Sequence, residues 1–428
     1  MKKIQIIPTK LQGTIKVPPS KSMAHRAIIC AALSQGESVI RGVDFSEDIC
    51  ATIEGMRALG ASILKQKDTL MISGKNFSKG INPMIDCKES GSTLRFLIPI
   101  SLVHNSNVHF IGKGQLGKRP LNSYYQIFKT QGICYTTQGE LLDLTVEGVL
   151  KPGLFELEGN VSSQFISGLL FALPLLKGDS TIRLTTELES KAYIDLTLQM
   201  MRQFGIHIDE PDARTFVVKG NQVYKASNYE VEGDYSQAAF YAVASALGNK
   251  VGIKGLAMQS AQGDRVVLDL LKHMGCAIEL TEESVEVIPK SLKAIRIDGS
   301  ECPDIIPIIT VAAALSEGVT TIVRAERLRI KECDRLYAIA KELGALGAKV
   351  EERQDGLLIE GVRELKGGCN VSSHNDHRIA MSIAIAATRC MSPIILEDYT
   401  CVKKSYLHFW DDYRLLGGVV KEATEDAE

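Results

Sequence analysis

Six times along these 428 residues a helix-like segment runs into a glycine and then into a short apolar strand. The segments are MRALGASIL, FKTQGICY, MRQFGIHI, LKHMGCAIEL, ELGALGAKV and YRLLGGVV, with turn glycines Gly60, Gly132, Gly205, Gly275, Gly347 and Gly417. Their intervals are 72, 73, 70, 72 and 70 residues. Glycine stops a helix because it enters the left-handed region without a Cβ clash. One such stop carries little information, but six at near-constant spacing define a sixfold supersecondary repeat.

A second helix recurs once per period and is apolar almost all round: AHRAIICAALSQG, STLRFLIPISLV, SQFISGLLFALPLLKG, SQAAFYAVASALG, DIIPIITVAAALSEG and DHRIAMSIAIAAT. A helix without a polar face must be buried on every side. Short β-branched runs follow each of them (SVI, NVHFI, STIRL, KVGIKG, TTIV, PIIL). The pattern predicts an α/β protein with helices inside and sheets outside, its six units grouped three and three. The boundary falls near residues 231–237, where the fourth unit starts. We expect one domain over 19–233 and a second over 1–18 plus 234–428, because the strand IQIIPTK precedes the first unit and is free to join the far half.

Composition narrows the function. Forty-nine Lys and Arg against 51 Asp and Glu leave a net charge of -2, which argues against nucleic-acid binding through a global basic field. Ten scattered cysteines form no CxxC pair, so zinc and thioredoxin-like chemistry are not expected; buried free thiols in a reducing, cytoplasmic setting are. The first residues carry too short an apolar run for a signal peptide. The longest apolar stretch, 305–315, is too short to span a membrane.

The chemistry gathers just ahead of the buried helices, in PPSKSMAHR, CKESGSTLR, NVSSQF, EGDYSQ, ECPD and HNDHR. Ser22, Ser92, Ser163, Ser236, Asp304 and His377 hold one equivalent place in the six units. N-capping accounts for one such residue per helix, and we assign it to Ser236. Capping does not account for Lys21, Arg26, Arg95 or the Asn375-Asp376-His377-Arg378 run, which point to an anion site at helix N-termini. A second set of cations opens the half-exposed helices: Lys118, Arg119, Lys191, Lys331, Arg335, Lys403 and Lys404. Singly these are solvated surface; together they predict a ligand with two phosphates, or a phosphate and a carboxylate. No Walker loop occurs.

These motifs, from PSKSMAHR through SGSTLR, GKRP, EGNVSSQF, ESKAYID, EGDYSQA, RIKECDR and NDHRIAM to CVKKSY, resemble the 5-enolpyruvylshikimate-3-phosphate synthase family over nearly the whole chain. The resemblance implies a two-domain inside-out α/β barrel with its active site at the hinge. It implies transfer of the enolpyruvyl group of phosphoenolpyruvate to the 5-hydroxyl of shikimate 3-phosphate, with phosphate released, by a monomer without metal or cofactor. Lys21 would touch both substrates. Ser22, Arg26, Ser162, Ser163, Gln164, Ser190, Asp304 and Lys331 would bind shikimate 3-phosphate, and Tyr193 is a further candidate. Gly91, Arg119, Gln164, Arg335, Arg378 and Lys404 would bind phosphoenolpyruvate. Asp304 would take the 5-hydroxyl proton and Glu332 would protonate the enol methylene, with His377 close.

Two positions depart from the family pattern: Glu89 stands where an asparagine is usual, and Arg327 where another is common. The related transferase acting on UDP-N-acetylglucosamine uses a cysteine in the loop that here reads GKGQLGK (112–118), which has none. An RNA-end-processing protein of similar units would show a more basic surface, and a non-catalytic anion-binding homologue would not need Lys21, Asp304 and Glu332.

Overall fold

The computed structural model describes residues 2–74, 82–103, 106–281 and 284–423. The described residues contain twelve α-helices: α1 (Lys21–Leu33), α2 (Glu47–Ala58), α3 (Gly91–Ser101), α4 (Asn122–Gln131), α5 (Ser163–Ala172), α6 (Lys191–Gln203), α7 (Tyr235–Ala246), α8 (Val266–His273), α9 (Ile306–Ala314), α10 (Arg335–Ala345), α11 (His377–Ala387) and α12 (Phe409–Leu415). Odd- and even-numbered helices alternate in character. Every residue of α7, α9 and α11 is buried, whereas α4, α8 and α12 bury only one stripe. All six turn glycines have positive φ, between 69° and 108°, so each helix of the outer set ends where the sequence places the stop. None of the described helices is long and apolar enough to cross a membrane.

Each repeat carries a four-stranded sheet of one topology: a parallel pair, then two antiparallel neighbours. In the second repeat Met84–Asp86 runs parallel to Ser106–Ile111, which pairs with Asp143–Gly148 and through it with Cys134–Thr137. In the second, third, fifth and sixth repeats the buried helix is the crossover of the parallel pair, and the outer helix precedes the hairpin. Period-2 burial along these strands puts one face on the helices and the other toward solvent.

The chain divides into two compact units, Lys21–Val231 (the central unit) and Met1–Ser20 with Glu232–Glu428 (the terminal unit). Each has its own hydrophobic core, built on α1, α3 and α5 in one case and α7, α9 and α11 in the other. Strand exchange completes both. In the central unit Tyr229–Glu230 supplies the first strand to the first repeat, parallel to Gly36–Arg41. In the terminal unit Gln12–Lys16 does the same for the fourth repeat, beside Lys250–Lys254, while Lys3–Ile7 fills the hairpin position of the sixth, between Ile394–Glu397 and Val419–Glu422. The segment 18–20 pairs with 232–234 through Ser20 N–H to Glu232 O (2.7 Å) and Asp234 N–H to Pro18 O (2.9 Å).

Candidate active site

In α3, α5, α7 and α11 the cap lies one or two residues earlier than the series of equivalent residues suggests. Ser90 accepts from the Thr93 amide, Ser162 from Gln164, Asp234 from Gln237 and Asp376 from Arg378. Ser236 is therefore not a cap. It sits in the first turn of α7, and its hydroxyl donates to the carboxylate of Asp264. The correction has a general reason: the cap needs extended backbone, and the serines at the equivalent position are already helical.

In the central unit, Lys21 opens α1 and pairs with Asp48 of α2 at 2.7 Å. One turn on, Arg26 is 3% exposed. It donates from Nε to Thr197 Oγ1 (2.8 Å), from Nη1 to the Ser22 carbonyl (2.7 Å) and from Nη2 to the Tyr193 carbonyl (2.8 Å). It thereby ties α1 to the first turns of α6. Burial brings its guanidinium down to about 10, while Tyr193 and Cys30 act the other way. His25 shares this buried turn, and burial, with Lys21 and Arg26 beside it, keeps the imidazole well below 6.5 and neutral. Its Nδ1 meets Thr52 Oγ1 at 2.7 Å, which continues to Thr93 Oγ1 at 2.7 Å.

Gln164, in the first turn of α5, bridges the two neighbouring helix starts. Its Oε1 accepts from Arg95 Nη1 (2.9 Å) and its Nε2 donates to Ser92 Oγ (2.8 Å). Ser163 is buried beside it, and Ser162 is the cap. Gly91 leaves room for two arginines: a Cβ there would lie 2.7 Å from Arg119 Nη1 and 2.8 Å from Arg95 Nη1. Ser190, 1% exposed, has φ 54°, a left-handed conformation that a serine holds only under constraint. Glu89 places its carboxylate against Gly114 in the loop that carries Arg119; a Cβ at Gly114 would lie 2.5 Å from it.

The terminal unit gathers its groups around Arg335, the first residue of α10 and 1% exposed. The guanidinium donates to three carboxylates: Nη1 to Asp304 (2.9 Å), Nη2 to Glu332 (2.7 Å) and Nε to Asp376 (2.7 Å). Its pKa is raised well above the ordinary value of a guanidinium; burial opposes this, and Asp376, Glu332 and Asp304 overcome it. Arg378 of α11 donates to the other oxygen of Asp304 (3.1 Å) and to the Ser236 carbonyl (3.4 Å). Burial would raise the Asp304 carboxyl, but Arg378, Lys331 and Arg335 hold it well below 3.8. Burial, with Arg335 and Arg327 adding to it against Asp304, pushes the Lys331 ammonium down to about 8. Lys404 is buried and donates to the Asn375 carbonyl (2.7 Å). His374 and Asn375, both at positive φ, turn that carbonyl out ahead of α11.

Within each unit the structure thus brings the expected residues together: Lys21, Ser22, Arg26, Gly91, Arg119, Ser162, Ser163, Gln164 and Ser190 in one, and Asp304, Lys331, Glu332, Arg335, Arg378 and Lys404 in the other. His377 is buried in the first turn of α11, its Nδ1 3.9 Å from Asp376. Lys118, Lys191 and Lys403 are exposed, and Lys191 pairs with Asp195 and Glu210 at the surface. Arg327 donates to the Ser300 carbonyl (3.2 Å). Sequence reasoning gave no role to Asp376, Asp48 or Asp264. Asp376 lay within the HNDHR run already singled out, but a cap and an ion-pair partner look alike in sequence.

Comparison with known proteins places the chain in a family. The family described as EPSP synthase (3-phosphoshikimate 1-carboxyvinyltransferase) matches residues 6–413. A protein of Clostridium perfringens (strain ATCC 13124), named 3-phosphoshikimate 1-carboxyvinyltransferase, is 59% identical over 423 residues, covering 98% of this chain and 100% of its own. One of the same name from Clostridioides difficile (strain 630) is 54% identical, with 99% of each chain covered. Among solved structures, EPSP synthase from Acinetobacter baumannii superimposes with a TM-score of 0.82 at 25% identity, covering 99% of this chain and 100% of that one. The enolpyruvyl transferase NikO from Streptomyces tendae shares the fold, with a TM-score of 0.80 at 16% identity over 99% of both chains. With six repeats, two buried cationic clusters and a match along nearly its whole length, the chain belongs to the EPSP synthase (3-phosphoshikimate 1-carboxyvinyltransferase) family.

Proposed function

We infer that this protein transfers the enolpyruvyl group of phosphoenolpyruvate to the 5-hydroxyl of shikimate 3-phosphate and releases phosphate. The observation that carries the reading is the Arg335 guanidinium, which holds Asp304 and Glu332 together beside Arg378 and Lys331. The reaction needs two carboxyl groups and a surplus of cations in one place. Protonation of C3 makes C2 electrophilic; the acceptor hydroxyl adds to C2 as it loses its proton; the tetrahedral product then loses a proton from the new methyl group and expels phosphate from C2. Glu332 is the acid and later the base at C3, and Asp304 takes the hydroxyl proton. Each such transfer is worth about 10²–10⁴-fold in rate.

The cations serve binding and charge development. Arg119, Arg335, Arg378 and Lys404, with Lys21 and Gln164, are assigned to phosphoenolpyruvate, whose backbone approach Gly91 leaves open. Ser22, Arg26, Ser162, Ser163, Gln164, Ser190 and Lys331, with Lys21 and Asp304, are assigned to shikimate 3-phosphate. Preorganised donors of this kind stabilise the departing phosphate because they need no reorganisation during the step. Phosphate release measured with each substrate alone and with both tests it: release is expected only with both. Release without shikimate 3-phosphate, or release stimulated only by UDP-N-acetylglucosamine, would overturn it.

A further inference from the structure

Asp264 lies outside every residue set assigned above, yet it is 3% exposed and its carboxylate accepts from the Ser236 hydroxyl. Ser236 is bifunctional: its carbonyl accepts from Arg378 Nη1 at 3.4 Å, and Arg378 Nη2 in turn donates to Asp304 at 3.1 Å. A continuous polar chain therefore runs from Asp264 through the first turn of α7 to Arg378 and on to Asp304. The loop that carries Asp264 is fixed against the same turn, since Gln262 accepts from the Tyr235 amide (3.1 Å) and donates to the Gly233 carbonyl (2.8 Å). A carboxyl buried this firmly at a helix start is costly unless its charge is used.

We propose that Asp264 is a positioning residue for the transfer reaction, acting through Ser236 and Arg378 to set the basicity of Asp304. The charged and titratable groups facing it are Asp234 at the cap of α7, Cys302 and Asp304 ahead of α9, and Arg378 on α11. Burial and the Asp304 charge push the Asp264 carboxyl up to about 6, against Arg378 and the Ser236 hydroxyl. Asp304 stays ionised while Asp264 titrates near neutrality, so two carboxyls around one arginine are driven apart in pKa, as acid and base groups in active sites are. When Asp264 is ionised it competes for Arg378 and adds negative charge near Asp304, which makes Asp304 the stronger base. When it is protonated, Arg378 belongs to Asp304 and the base is weaker.

The inference rests on the assignment of Asp304 and Arg378 to the reaction. Its test is the pH dependence of kcat and KM in Asp264→Asn, whose amide still accepts from Ser236. The expected result is a kcat about tenfold lower near pH 7.5, the equivalent of one pH unit in the basicity of Asp304, with KM for phosphoenolpyruvate unchanged or lower because less negative charge opposes Arg378. An acid limb near pH 6 is expected in the parent and should be absent from Asp264→Asn. Ser236→Ala removes a donor to the charged form and should move that limb up by about one pH unit, which keeps the test decisive if Asp264→Asn fails to fold. A purely structural role would lower the melting temperature and leave the limb in place; a limb unmoved in both variants overturns the proposal. If Asp304→Ala and Arg378→Lys retain the parent's turnover, the site assignment itself has failed. If they lose it while Asp264→Asn behaves as the parent, only this inference has.

Discussion

Arg26, in the second turn of α1, and Arg335, which opens α10, are both almost fully buried, and they are compensated in opposite ways. Arg26 donates to a threonine hydroxyl and two carbonyls, and burial lowers its pKa to about 10. Arg335 donates to three carboxylates and its pKa rises. Neutral oxygens satisfy a guanidinium's hydrogen bonds without cancelling its charge, so Arg26 keeps a field that draws an anion. Carboxylates cancel the charge, so Arg335 gathers the acid/base groups around one cation, and an incoming anion must compete with them. On the proposed assignment, the acceptor falls mainly to the central unit and the proton transfers to the terminal unit.

The contrast breaks first at Arg335. Arg335→Met strips the shared partner from Asp304, Glu332 and Asp376, and removing one side of a buried ion pair costs about 3–5 kcal/mol. Urea unfolding should show a loss of that size together with loss of turnover, and a change below about 1 kcal/mol would show that the carboxylates are held elsewhere. Arg26→Met leaves only neutral acceptors unpaired, at about 1–3 kcal/mol. It should also raise KM for shikimate 3-phosphate more than it lowers kcat; an equal fall in kcat and kcat/KM would place Arg26 on the transition state instead.

Lys331 sharpens the comparison through pH. Its pKa in the folded protein, about 8, lies below that of a lysine in the unfolded chain, about 10.4. Between these values the unfolded chain binds more protons, so this residue's contribution makes stability rise with pH there. Activity should fall over the same range as the ammonium discharges. Lys331→Arg, which stays charged, should flatten the stability rise and extend turnover above pH 8; an unchanged alkaline limb in the pH–rate profile would assign that limb to another group. The smallest effect on stability is expected at Gly91. In Gly91→Ala the atoms nearest the new methyl are the ends of the flexible Arg119 and Arg95 side chains. Thermal unfolding should shift by the equivalent of no more than about 0.5 kcal/mol, while KM for phosphoenolpyruvate rises; a large loss of stability would show that the two guanidiniums are fixed.

Much of this architecture was legible because it repeats. The six glycine stops recur at the predicted places with positive φ, and the apolar helices are the buried ones, since both signals depend on local sterics and on the polarity of one segment. Long-range strand exchange was less legible. That Lys3–Ile7 and Gln12–Lys16 complete two different sheets of the terminal unit depends on pairings about 240 to 420 residues away, which no local pattern encodes. Within the site, the cations stood out by their clustering at helix starts. The carboxylates that complement them did not: Asp376 reads as a cap, Asp48 as an ordinary first-turn acid of α2, and Asp264 as a loop residue. Ser236 was misread for the same reason, because the sequence does not show which of two adjacent polar residues still has extended backbone.

The division between holding an acceptor and managing protons meets its most direct test at Glu332, in heavy water with both substrates present. Addition of a solvent deuteron to C3 creates a methyl group, and elimination then leaves part of the label in the methylene of the product. The account predicts that the parent enzyme incorporates solvent deuterium there, and that Glu332→Gln slows this by about a hundredfold or more while binding shikimate 3-phosphate with its affinity intact. Incorporation by Glu332→Gln at a rate close to the parent's would contradict it.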